Sequence, residues 1–255
     1  MRILITNDDG VYAPGLAALH RALAARHQVM VVAPESEQSA VGHAITLSDP
    51  IRVRPLGPRT GFSGYAISGT PADCVKLAVN ELMKPGPELV VSGINLGANL
   101  GVNLLYSGTV SAATEAAILG FTGLAFSLDT LKDPDFSLAA RFAAHLVDEL
   151  PRLNLPRRIA LNVNVPHRPR REIRGVRFTR QSTARIREDY IRRTDPRGHV
   201  YYWLGGETMA CRGGPESDYP ALKQGYITIT PLHFELTCRQ TLEGLAGVSL
   251  ELPPD

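Results

Sequence analysis

Short, unbroken runs of branched aliphatic residues recur along the first two thirds of the chain, and they restrict the possible folds more than any other feature. They are residues 2–6 (RILIT), 28–33 (QVMVVA), 88–92 (ELVVS), 123–128 (GLAFSL) and 158–165 (RIALNVNV). A strand with one face in water alternates apolar and polar residues; a strand covered on both faces does not need to. Between the runs lie stretches with helical spacing: 14–26, opened by Pro14; 70–83, with Thr70 as N-cap and Pro71 at its first position; the alanine-rich 109–119; and 135–150. Strands alternating with helices in this way predict an α/β fold, a doubly wound and mostly parallel sheet with helices on both faces. Residues 44–68 (IRVRPL and GYAIS among them) break the rhythm and read as an antiparallel excursion.

The character changes after Arg152. Arginine becomes frequent up to Arg197, with hairpin-like strands (GVRFTR and HVYYWLGG) flanking the basic stretch. A short helix at 217–223 and a strand at 225–230 (GYITIT) then return towards the sheet. The expected division is a core over residues 1–165 and, within the same domain, an arginine-rich hairpin arm, returning strand and tail over 166–255. Lys+Arg 27 against Asp+Glu 25 leaves only +2 over 255 residues, which excludes a protein basic all over; 44% hydrophobic residues exclude disorder along its length. Cys74, Cys211 and Cys238 are far apart with no CxxC pair, so neither a disulfide framework nor a thiolate zinc site is indicated. The opening MRILITNDDG lacks the pattern of a signal peptide, and no run reaches the roughly 18 apolar residues of a membrane span. A soluble cytoplasmic protein with no membrane partner is expected.

The chemistry-bearing residues collect after the strands. In an open α/β sheet the ligand crevice lies at the carboxyl ends of the strands. The first strand ends in Asn7-Asp8-Asp9-Gly10, where adjacent carboxylates repel and call for a positive partner. The second is followed by PESEQS, ending at Ser39, and the 88–92 strand by Gly93-Ile94-Asn95. Oxygen donors without His or Cys suit a hard divalent ion such as Mg²⁺ or Mn²⁺; the alternative is that Asp8 and Asp9 only cap a turn. The glycine- and asparagine-rich segment 92–108 then delivers Ser107-Gly108-Thr109 to a helix start, where free N–H groups and the helix dipole favour an anion, unless these residues are plain N-caps. A metal beside an anion site would bind a phosphate. Neither GxxxxGK[ST] nor GxGxxG after the first strand is present, nor a GxSxG elbow, which disfavours P-loop, dinucleotide and serine-hydrolase chemistry.

NDDG, VVAPxxxxS at 31–39, GTPADCV at 69–75, ELVVSGINLGANLG at 88–101, YSGTVSAA at 106–113, LNVNVP at 161–166 and SDYPALKQGYITITPL at 217–232 together resemble the SurE family of survival proteins. The resemblance runs over nearly the whole chain. It implies a Rossmann-like catalytic core with an extended C-terminal β-hairpin arm and tail used in oligomerisation, as a homodimer or homotetramer. It implies a divalent-metal-dependent phosphomonoesterase that hydrolyses nucleoside monophosphates, a 5'-nucleotidase or acid phosphatase, with 3'-nucleotidase and exopolyphosphatase activity left open. Carried over by position, one Mg²⁺ or Mn²⁺ per subunit falls to Asp8, Asp9, Ser39 and Asn95, phosphate contacts fall to Asn99, Ser107, Gly108 and Thr109, and Asp8 and Asp9 are the catalytic candidates. His43 and His233 are candidate proton donors to the leaving group. A reading of another class is an RNA- or polyphosphate-binding protein using Arg168, Arg170, Arg171, Arg174, Arg177, Arg180, Arg185 and Arg187. Aromatic platforms are too sparse there for sequence-specific RNA recognition, so no stable nucleic-acid partner is expected.

Overall fold

The computed structural model describes residues 1–156, 158–183, 185–186, 189–205, 209–210 and 213–253. Cys211 and Arg187 lie outside them. The elements run β1 (Arg2–Thr6), α1 (Pro14–Ala24), β2 (Gln28–Pro34), β3 (Val53–Pro55), β4 (Gly64–Ile67), α2 (Pro71–Leu77), β5 (Leu89–Leu96), α3 (Gly108–Ile118), β6 (Thr122–Asp129), α4 (Ser137–Glu149) and β7 (Ala160–Pro166). They continue with β8 (Gly175–Phe178), β9 (Arg185–Ile186), β10 (Asp189–Thr194), β11 (Val200–Gly205), β12 (Met209–Ala210), α5 (Asp218–Lys223), β13 (Tyr226–Leu232) and α6 (Arg239–Gly244). Nine strands make one sheet in the order β3-β4-β2-β1-β5-β6-β7-β13-β8. From β4 to β7 neighbours are parallel; β3 on β4 and β13 on β7 are antiparallel. This is the mostly parallel, doubly wound α/β sheet expected; of the antiparallel excursion, residues 53–55 are antiparallel as β3, but GYAIS is not, since it forms β4 and continues the parallel sheet beside β2.

The apolar runs lack alternation because both faces are covered. Ile3 and Ile5 join Leu16, Leu19 and Leu23 of α1 and the alanines of α4 on one side. Leu4 points to the other, among Val75 of α2 and Ala112 and Ala116 of α3. Each aliphatic side chain so buried contributes about 1.5–3 kcal/mol. Helix α2 starts as its sequence predicts: Thr70 caps it and forms a reciprocal capping box with Asp73, with Pro71 at the first position. Its end is different. The α-helix stops at Leu77 and passes into a π-helical turn, Ala78–Leu82. The buried Cys74 packs among the apolar residues beneath it, and burial pushes its thiol far up, so it is a small hydrophobe and not a nucleophile.

The basic stretch departs from the expected hairpin pair. Residues 200–205 do form a hairpin, β10 with β11, but GVRFTR does not: β8 is the edge strand of the main sheet, parallel to β13. The open edge of β13 supplies the partner, Arg177 lies 3.6 Å over the Tyr226 ring, and Thr179 Oγ1 lies 2.8 Å from Thr230 Oγ1. Several arginines of the RNA-binding reading are engaged within the chain: Arg180 with Glu216 at 2.6 Å, and Arg168 donating to the Lys223 carbonyl. The hairpin's Tyr190, Trp203 and Leu204 stay exposed. Among the described residues no helix is long and apolar enough to cross a membrane.

Candidate metal and phosphate site

The site is built where β1, β2 and β5 end. Asn7 Nδ2 donates to the Gly10 carbonyl at 2.9 Å and closes the NDDG turn. The segment after β2 is laid against that turn: Val11 N donates to Pro34 O at 2.9 Å and Gln38 N to Asp8 O at 2.8 Å. Helix α3 approaches from the other side. Thr109 donates its hydroxyl proton to Asp8 Oδ1. Gly108 is so close that a Cβ on it would stand 2.7 Å from Asp8 Cβ. Only glycine fits there, which brings Asp8 against the helix start carrying the predicted phosphate contacts. Asp9 accepts a hydrogen bond from the backbone of Leu96, next to Asn95.

Asn95 follows an irregularity in β5, where the pairing with β6 shifts between Ser92 and Asn95. Its Nδ2 donates to the Gly97 carbonyl at 2.7 Å; since a carbonyl can only accept, the amide oxygen is the atom left for a ligand. Ser39 is exposed and its hydroxyl donates to Glu37 Oε1 at 2.5 Å, not to another member of the predicted set. The structure therefore joins Asp8 to Gly108 and Thr109, and Asp9 to the segment of Asn95; Ser39 shares a loop with Glu37, whose charge acts on both aspartates.

Burial and mutual repulsion govern the electrostatics of the two aspartates. Burial raises the Asp8 pKa, against the lowering effect of its Thr109 hydrogen bonds, and Glu37 adds to the rise. Asp9 is pushed up to about 6, first by burial and then by the charge of Asp8. Among the described residues neither aspartate has a Lys, Arg or His ion-pair partner, and Asn7 Oδ1 beside them is buried without a hydrogen bond. No group of three or more His, Cys, Asp or Glu among the described residues could hold a metal. The donors in question are two carboxylates, a hydroxyl and an amide, all hard oxygens, and the negative charge comes from the two carboxylates. That set fits a hard divalent cation and not a thiolate or imidazole metal.

Of the predicted phosphate contacts, Ser107 is the N-cap of α3 and accepts from Val110 N at 3.2 Å, as its alternative reading held; its O–H is still free to donate elsewhere. Asn99 is held by residues whose role the sequence did not disclose. Asn162 Nδ2 and Asn164 Nδ2 each donate to its carbonyl at 2.9 Å, Asn164 Oδ1 accepts its N–H at 2.8 Å, and its Nδ2 donates to Ser127 Oγ. Two residues on, Gly101 N donates to the buried Asp218 at 2.9 Å and Gly101 O accepts from Gln181. The signal was present in NVNV: amides in a strand covered on both faces cost free energy unless they are bonded.

A second cluster joins residues far apart in the sequence. Glu115 of α3, 4% exposed, holds His43 Nε2 at 2.8 Å and Lys76 Nζ at 3.0 Å. Burial works to raise its pKa, but the hydrogen bonds and charges of His43 and Lys76 outweigh it and the net shift is downward. With Gly42 N donating to Tyr106 O and Thr46 to Asp73, this cluster pins the loop that begins at Ser39. His43 is thus held by Glu115, and His233 stacks on Phe234.

The model of the family described as "Survival protein SurE" matches residues 3–188. The chain is 53% identical over 250 residues to the 5'-nucleotidase SurE of Syntrophobacter fumaroxidans, covering 98% of this chain and all of that protein. It is 48% identical to the one from Aeromonas hydrophila, with 99% of each chain covered. The crystal structure of the SurE protein from Aquifex aeolicus superposes with a TM-score of 0.83 at 37% identity, over 96% of this chain and 98% of that one.

Proposed function

The chain belongs to the SurE family, and from that premise we propose that it is a divalent-metal-dependent phosphomonoesterase hydrolysing nucleoside monophosphates to nucleoside and phosphate, a 5'-nucleotidase like its relatives. One observation carries the reading. Asp8, a buried carboxylate with no cationic partner among the described residues, touches the first turn of α3 at Gly108 and Thr109. A group that calls for a cation and a helix start that calls for an anion, in contact, accept a metal and a phosphate together.

Asp8, Asp9, Ser39 and Asn95 would hold one Mg²⁺ or Mn²⁺ per subunit. When bound, that ion supplies Lewis-acid charge to the phosphoryl oxygens and acidity to water. The Thr109 hydrogen bond to Asp8 Oδ1 holds the carboxylate in place, and its remaining lone pairs would be the ones available to the ion. Thr109 N–H is given to Asp8 and those of Val110 and Ser111 to Ser107, so the Gly108 N–H and the Ser107 hydroxyl would meet the remaining phosphoryl oxygens, and Asn99, locked by Asn162 and Asn164, offers the second proton of its amide. These donors are preset, so little reorganisation accompanies the growth of charge in the transition state. Asp9 is the group assigned to orient the attacking water and receive its proton at a carboxylate oxygen. The rival route, attack by a carboxylate to form an aspartyl-phosphate, is separated by single turnover in ¹⁸O-water: label entering enzyme carboxylate would overturn the water route. A cytoplasmic homodimer or homotetramer, with the exposed hairpin as the assembly arm, completes the proposal.

The test is inorganic phosphate release from AMP and GMP, with EDTA and after refilling with Mg²⁺ or Mn²⁺. Activity that survives EDTA, or full activity in Asp8→Ala, overturns the metal assignment. Salt-sensitive RNA binding without phosphate release would select the binding protein instead.

A further inference from the structure

Resting on the nucleotidase reading, we infer that the cavity beside Tyr12 is the subsite for the nucleobase, with Tyr12 as its stacking surface and the Arg54–Glu35 pair as the group that meets the base edge. The cavity is about 460 Å³, within the size range of small-molecule sites. Pro55 and Leu56 supply apolar lining, Ser36 and Glu35 form the wall towards the metal site, and Arg54 Nη1 lies 3.3 Å from Glu35 Oε2.

Its position ties it to the phosphate site. The wall is made from the two segments that form the carboxylate turn: a Cβ on Gly10 would lie 3.3 Å from the Ser36 backbone, and Gln38 N donates to Asp8 O. Tyr12 stands three residues along the chain from Asp9, so their Cα atoms are at most about 11 Å apart, within the span of one nucleoside monophosphate. A phosphate at the α3 N-terminus and a base over Tyr12 would place the sugar across the Gly10–Ser36 rim.

The chemistry of the lining matches the ligand. Tyr12 is 75% exposed, so its ring contributes nothing to the core and offers its faces to a planar partner. Arginine presents a fork of donors and glutamate two acceptors, together able to address the acceptor and amino groups that distinguish one base from another. An aromatic face with hydrogen-bonding groups beside it is how proteins hold a base with no complementary strand.

The test compares AMP with ribose 5-phosphate, which shares the 5'-phosphate and sugar but has no base, on the full chain with its metal. In Tyr12→Ala, kcat/KM for AMP should fall by about tenfold or more, the size of one lost base–aromatic stack, while ribose 5-phosphate is unchanged and Tyr12→Phe restores AMP turnover. Adenosine, which has the base and no phosphate, should inhibit wild type competitively and Tyr12→Ala more weakly by the same factor. Arg54→Ala should alter the ratio of AMP to GMP turnover. Equal losses on both substrates, no loss on either, or a loss traced by gel filtration to a change of oligomeric state would overturn the assignment. Wild type that hydrolyses neither substrate would instead overturn the nucleotidase reading.

Discussion

Asp9→Asn should make the metal-free protein more stable and the metal-loaded protein inactive. In the absence of a cation Asp9 titrates at about 6, against an ordinary aspartate value of 3.8, because of burial and the neighbouring Asp8 charge. A raised acid pKa means the folded state holds the proton more tightly than the unfolded state. The resulting penalty is absent below 3.8, grows between 3.8 and about 6, and is constant above. At about 1.4 kcal/mol per pKa unit the full shift would be worth roughly 3 kcal/mol, and discounting for the partial exposure of Asp9 leaves about 1–2 kcal/mol. Asparagine keeps the shape and removes the charge. Urea unfolding in EDTA should therefore show wild type and Asp9→Asn equally stable near pH 4, with the variant ahead by that amount at pH 8. Added Mg²⁺ should reverse the order, because binding stabilises only the protein that retains the site. A difference that does not change with pH, or a variant less stable than wild type at pH 8 in EDTA, would refute the argument.

Gly108→Ala places a methyl group 2.7 Å from Asp8 Cβ, so the carboxylate or the helix start must move; kcat should fall on the order of a hundredfold, with a small change in melting temperature measured on the same sample. Asn164→Ala removes two hydrogen bonds to the Asn99 backbone and should cost about 1–3 kcal/mol in urea unfolding while lowering kcat more than it raises KM. His43→Ala combined with Lys76→Met leaves Glu115 buried and without either partner. Stability at pH 7 should drop by about 3–5 kcal/mol, and Glu115→Gln in that background should recover part of the loss; no recovery would mean the charge is not what destabilises.

The legible parts of the fold are those decided by local pattern. RILIT shows no alternation because Ile3 and Ile5 face one helix layer and Leu4 the other, and Thr70-Pro71 announces its helix because the cap is made with Asp73, three residues on. Illegible parts depend on partners distant in sequence. Strand β8 alternates half-buried and exposed residues, a pattern that suits a hairpin as well as a sheet edge, and what decides is β13, some fifty residues later. At the site, Asp8 and Thr109 could be singled out because each type has its own chemistry at a strand end or helix start. Their contact, across 101 positions, is a product of topology. Asn162 and Asn164 read as strand residues with misplaced amides until Asn99 is brought to them.

The alanine-rich composition of α3 then acquires a mechanical reason. Ala112, Ala113, Ala116 and Ala117 are all fully buried, so this helix has little side-chain bulk to hold it off the sheet. Its carbonyl at Ala113 comes so near β6 that a Cβ on Gly123 would lie 2.0 Å from it. Larger residues at these positions would bury more apolar area and would, by hydrophobic burial alone, make a more stable layer. They would also lift the helix, and its first turn with it, away from Asp8. The small residues give up some burial so that the backbone of α3 lies low enough for Gly108 and Thr109 to touch the carboxylate at the end of β1. The same close packing forces glycine at 123, in β6 against the middle of the helix, and at 108, at the helix start, so the distance from the helix axis to the sheet sets the distance from the first turn of α3 to the Asp8 carboxylate proposed to hold the metal.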